Sequence, residues 1–293
     1  MAKLIAALLL TTLLMATVST PGLAAQEAEP QVIVVPNYGL INPGSNNDFF
    51  VRVLTLALDK TVPSHGPYQL VPAVPNLVDH RLRAAVNKGL VDVCWFNAHR
   101  EAESELLAIR HPLLGEINQY RALLIRGDDQ HRFSAVKSLD DLRQLRGGTS
   151  AQWPDTLVLD ANKLPYVTSP QYDSLFRMLA AGRFDYFSRG LYQIKREVER
   201  FPELNLVIEE TLLLHYPNNM YFFVGKDNTE LAERIEEGLE LAREDGSYAE
   251  VYNSIPQYRW AQEQLDNQSR RVLKLDTATL QEDKDIPASY LLE

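Results

Sequence analysis

Cysteine is nearly absent: Cys94 stands alone in 293 residues, so no intramolecular disulfide can form and the fold must be held by its core. Its setting in "VDVCWF" marks a buried thiol rather than a nucleophile. Cations are in the minority too, with 29 Lys and Arg against 39 Asp and Glu and a formal net charge of −10. That balance argues against nucleic acid and against an anionic membrane surface as partners. The six histidines have neither H-x-x-x-H nor H-x-x-E-H spacing, and no G-x-S-x-G elbow or G-x-x-x-x-G-K loop occurs. Each of those motifs carries a chemistry, respectively zinc binding, an activated serine and a phosphate cradle. No metal and no cofactor is therefore expected.

Long apolar runs are missing except at the start. Lys3 is followed by an apolar run from Leu4 to about Val18, then by Pro21-Gly22 and the small residues Ala24 and Ala25. The run is shorter than the roughly 20 residues a membrane span needs and ends at a small-residue site, the pattern of a cleaved signal peptide over residues 1–25. The mature chain is expected in the periplasm.

What remains is an alternation of short apolar runs and amphipathic stretches. "QVIVV" reads as a strand; "DFFVRVLTLALDKT" as a helix with Phe50, Val53, Leu54, Ala57 and Leu58 on one face and Asn46 or Asn47 as cap; "YQLVPA" as a strand; "NLVDHRLRAAVNKG" as a helix; and "LVDVCWF" as a strand. The pattern resumes with "YRALLIR", with "SLDDLRQL" capped by Ser138, and with "GGTSAQWPDT", where Pro154 suits a helix start. Such βαβ alternation predicts an α/β fold with mostly parallel sheets flanked by helices, and binding sites beyond the carboxyl ends of the strands. One corner is written twice: Gly89 with Asp92 in "NKGLVDV", and Gly182 with Asp185 in "AAGRFDY". Each glycine ends a helix where a left-handed residue is needed, and each copy leads into a strand.

The ordered set "GLVDVCWFNAHRE", "SLDDLRQLRGGT", "SLFRMLAAGRFDYF" and "YFFVGKDNTELAERIEEGLELAREDGSYAEVY" resembles the type II periplasmic solute-binding proteins, in their amino-acid-binding branch called family 3. The resemblance runs from about Val32 to about Ile255. It implies a two-lobed fold with two hinge crossings, near Tyr120 and Tyr221. Lobe 1 would span 31–120 plus 222–266 and lobe 2 would span 121–221, leaving 267–293 as a tail without an assigned role. Arg100 falls where the family places the arginine that grips a ligand carboxylate, a task suited to its bidentate fork. Trp95 and Asn97 close the strand before it, Asn97 standing in for a family threonine. In lobe 2 the family's ligand loop matches Thr149, Gln152 and Trp153, with Trp153 fitting a packing role equally well. Tyr38 matches an aromatic that packs on the ligand.

The sequence departs from the family where amino-acid receptors carry an acid for the ligand ammonium: Gly190 stands there, preceded by Arg189. That favours an anionic solute, unless Arg189 pairs with a neighbouring acid. The resemblance implies a monomeric, non-enzymatic receptor that closes over a small polar solute and delivers it to a membrane permease, as in ABC transport. The alternatives are the ligand-sensing partner of a membrane signalling protein, or a dehydratase-like enzyme on the same fold.

Overall fold

The computed structural model describes residues 29–37, 47–73, 77, 79–151, 153–267 and 269–277. The signal-peptide reading and the acidic end of the tail lie outside them. In chain order the elements are β1 (Gln31–Val35), α1 (Asp48–Lys60), β2 (Tyr68–Pro72), α2 (Asp79–Asn87), β3 (Val93–Asn97), α3 (Arg100–Glu105) and β4 (Leu106–Ile109). Then come β5 (Tyr120–Arg126), β6 (Gly147–Thr149), α4 (Asp155–Ala161), β7 (Tyr166–Thr168), α5 (Tyr172–Ala180), β8 (Tyr186–Gly190), α6 (Leu191–Glu199), β9 (Leu206–Ile208) and β10 (Leu212–His215). The chain closes with β11 (Met220–Gly225), α7 (Thr229–Glu244), α8 (Ser247–Asn253), α9 (Pro256–Asp266) and β12 (Arg271–Lys274).

Two sets of strands result. In lobe 1, β1 pairs parallel with β2, and β11 runs antiparallel between β3 and β4. In lobe 2 the order is β12-β10-β5-β8-β6-β7, with β9 also on β5. One strand in each lobe runs against its neighbours. Strand β5, arriving from lobe 1, is antiparallel to β8, β9 and β10, and β11, returning from lobe 2, is antiparallel to β3 and β4. A strand entering from the opposite lobe comes in at the far end of its sheet, so its reversed direction marks the two hinge crossings.

The duplicated corner is a clamp. Gly89 and Gly182 have φ of 65° and 70°, a conformation that costs a residue with a Cβ. Three residues later Asp92 donates its N–H to Val34 O at 2.8 Å and accepts from the Val34 N–H through Oδ2 at 2.7 Å. Asp185 does the same to Arg146, at 2.7 and 2.8 Å. Each aspartate thus ties the strand after the corner to an earlier strand of its own lobe, to β1 in one and to the lead into β6 in the other. Helix α1 follows its expected face, with Phe50, Val53, Leu54, Ala57 and Leu58 buried. Asn47 occupies the N-cap position without a side-chain cap bond, and its Oδ1 accepts from Trp95 Nε1 at 3.0 Å. Ser138 caps its helix in a reciprocal box with Asp141.

Candidate functional site

The crossings are stitched together by one side chain. Asn118, fully buried, donates from Nδ2 to Asn97 Oδ1 at 3.0 Å and to Asn218 O at 2.7 Å. The Ala98 N–H donates to Asn219 O at 2.7 Å. The end of β3, which carries the lobe-1 candidates, therefore sits against both hinge segments. From there Arg121, in β5 and 3% exposed, reaches back with NH1 to Asn118 O at 2.6 Å, and its Nε donates to Asp155 Oδ1 at 3.2 Å.

Asp155 opens α4 and lines a small cleft with Gly148, Thr149, Trp153, Ser188 and Tyr216. The Tyr216 hydroxyl donates to the same Oδ1, and the Arg121 guanidinium lies 4.8 Å from the Tyr216 ring centre. Burial alone would raise the Asp155 pKa, but the Arg121 charge and the Tyr216 hydrogen bond outweigh it and hold the carboxyl below its usual range. Tyr216 is pushed well up by burial. The acid is ionised at neutral pH and the phenol is not.

Arg189 has its own acid. Its Nε and NH2 form a fork on Glu197, both bonds at 2.7 Å, and NH2 also donates to Gln193 Oε1 at 2.9 Å. Aromatic rings surround it, Trp153 at 4.8 Å, Phe187 at 4.9 Å and Tyr172 at 5.5 Å, and the Tyr172 hydroxyl donates to Glu197 Oε1 at 2.7 Å. Burial opposes the charge on Arg189, but Glu197 outweighs it and raises the guanidinium pKa further. The pairing that would make the cleft neutral is thus the one the fold adopts. Trp153 stacks on Phe187, 6.1 Å between ring centres, and so combines packing with a face to Arg189. A Cβ at Gly190 would meet the Tyr192 ring at 2.7 Å. Tyr192 fills the space that an acid at position 190 would need.

The remaining candidates divide by exposure. Trp95 is 4% exposed and packs on Phe50 and Phe222. Asn97 is half-buried at the hinge, Thr149 is buried with Oγ1 3.2 Å from Thr156 Oγ1, and Arg100 is exposed at the start of α3. Tyr38 and Gln152 lie outside the described residues. Sequence reading missed Arg121, Asp155, Glu197 and Tyr216. Only Asp155 carried a signal, an acid in the first turn of a helix after Pro154, where the helix dipole favours it. The other three sit in ordinary strand, helix and loop contexts, and only the tertiary fold brings them together.

This architecture is the two-lobed fold of the type II periplasmic binding proteins. An ancestral arginine-binding protein bound to arginine superposes with a TM-score of 0.56 at 18% identity, covering 78% of this chain and 99% of that one. ArtJ, an arginine-, lysine-, histidine-binding protein from Geobacillus stearothermophilus, matches with a TM-score of 0.53 at 17% identity over 78% and 95% of the two chains. A histidine kinase sensor domain with similarity to periplasmic binding proteins gives 0.53 at 18% identity over 78% and 97%. No family model and no curated protein matches the sequence.

Proposed function

We propose that the chain is a monomeric periplasmic receptor that closes over a small polar solute bearing a carboxylate and presents the closed form to a membrane permease. The observation that carries this reading is which of the arginines among and beside the candidate residues already has an acid. Arg121 is matched by Asp155 and Arg189 by Glu197, whereas exposed Arg100 has no ion-pair partner among the described residues. A carboxylate from solution completes the set, with Arg100 as its anchor and Asn97, Thr149, Trp153 and the cleft wall as neighbours. The solute-binding neighbours support the same role, and Tyr38 and Gln152 remain proposed ligand residues. The histidine kinase sensor domain among those neighbours supports a second reading, in which the closed receptor engages a membrane sensor. The proteins of similar fold named above are binding proteins and a sensor domain, which supports a non-enzymatic role.

A thermal-shift screen of mono- and dicarboxylates, amino acids and neutral solutes tests the proposal. A true ligand at 100 times its Kd adds about 2.7 kcal/mol of stability, and Arg100→Ala is expected to abolish the shift while leaving the unliganded melting temperature within the small range of exposed substitutions. Arg100→Lys restores only part of it, because the fork is lost. Stabilisation by carboxylates that survives Arg100→Ala removes this residue from the site, and stabilisation by neutral solutes alone overturns the carboxylate.

A further inference from the structure

The two hinge crossings are residues 113–119 and 216–219, yet the chain crosses between the lobes once more. Helix α8 packs on α1 and α7 in lobe 1, α9 then lies against α6 of lobe 2, and β12 extends the lobe-2 sheet as a parallel neighbour of β10. We propose that residues 256–277 are a brace, a third connection that restricts how far the two lobes can open.

Tyr258 holds the seam. It is 3% exposed, with its ring 4.9 Å from Phe49 of α1 and 5.2 Å from Tyr252 of α8 on the lobe-1 side, and 6.3 Å from Tyr192 of α6 on the lobe-2 side. Lys195 of α6 adds a cation 5.7 Å from the ring of Trp260. Residues from both lobes therefore share one continuous core along this seam.

The far end of the brace is fastened by the backbone. Arg271 N donates to Thr211 O at 2.7 Å and Leu275 N to His215 O at 2.8 Å. Buried Arg270 donates from NH1 to Glu209 O at 2.7 Å and Leu212 O at 3.2 Å. Asn162 exchanges two bonds with the Asp276 backbone, at 2.9 and 2.8 Å. The two short crossings, one a single 3-10 turn at Gly115–Asn118 and the other irregular, can absorb a hinge rotation in a few backbone dihedrals. A helix anchored at both ends has no such freedom, so wide opening must either split the Tyr258 seam or strip β12 from β10. The brace stands independently of what the cleft binds.

The test uses the full chain with spin labels at Leu90→Cys in lobe 1 and Leu157→Cys in lobe 2, both exposed, while buried Cys94 stays unlabelled. Without ligand, the unbraced lobes of an ordinary hinge would give a broad or bimodal distance distribution; the brace predicts a single narrow one. Leu273→Pro, which deprives β12 of an N–H, and Tyr258→Ala should each add a longer-distance population. A broad distribution in the otherwise native chain, or folded variants that reproduce its distribution, overturns the brace. Hydrogen exchange on the native chain decides the matter even if both variants fail to fold. Arg271 and Leu275 amides should be protected as strongly as those of β10, and exchange at the rate of open chain would show that β12 is not docked.

Discussion

At the scale of single residues the cleft is organised by compensation. Arg121, Arg189, Asp155 and Glu197 form two ion pairs with hydroxyls or amides filling their remaining valences, and each pair fixes a wall residue against the sheet. A buried pair contributes little net stability against an apolar substitute, but removing one member leaves the other charge desolvated. Glu197, 4% exposed, carries both bonds of the Arg189 fork and the Tyr172 hydroxyl. Glu197→Ala should therefore cost about 3–5 kcal/mol, whereas replacing Arg189 and Glu197 together with apolar residues should cost much less. Urea unfolding of the single and double variants measures this, and additive losses would show that the pair is not coupled.

At the scale of elements, much was legible because local rules and tertiary demands agree. The α1 face, the Ser138 cap, the alternation of strands and helices within each βαβ set and the paired Gly–Asp corners all follow from periodicity and from residues with special backbone or capping roles. What the sequence leaves unreadable are contacts between distant segments. Nothing in "RRVLKLDT" announces that Arg271–Lys274 will join β10, because a four-residue strand whose only buried position is Leu273 has no partner written into it. Nor does the Arg189 sequence context reveal Glu197, which lies in α6, the helix that follows β8 directly. Gly238 is another such case. It lies mid-helix in α7, where glycine weakens a helix, but a Cβ there would stand 2.0 Å from the Ala57 carbonyl oxygen of α1. The two helices approach backbone to backbone, and no rotamer change can relieve the clash. Gly238→Ala should destabilise the protein by about 1–3 kcal/mol despite its better helix propensity, and a stabilised melt would refute the close approach.

At the scale of the whole molecule, acid should act in two stages set by different groups. His111 is 1% exposed, and burial first, with the Arg243 charge second, pulls its pKa from 6.5 down to about 4. Glu236 stands 4.0 Å away and is half exposed, too weak a partner to offset that burial. The folded state therefore keeps His111 neutral while the unfolded chain protonates it as pH falls through 6.5, so the unfolded state binds the extra proton and stability declines. The decline continues until the folded His111 also protonates near pH 4, amounting to about 3 kcal/mol for such a shift. His215, pulled down by burial and Lys274, adds in the same direction. Asp155 and Asp185 work below that window. Their pKa values are lowered in the fold by Arg121 and Tyr216 and by the Arg146 N–H and Arg132, so their contribution is complete above the ordinary aspartate value and disappears as pH drops beneath it. Urea midpoints taken from pH 7.5 to 3 should show a first slope between about 6.5 and 4 and a second below about 3.9. In His111→Gln the first slope should shrink and the second remain; a first slope of unchanged size would mean that His111 is not the group being titrated.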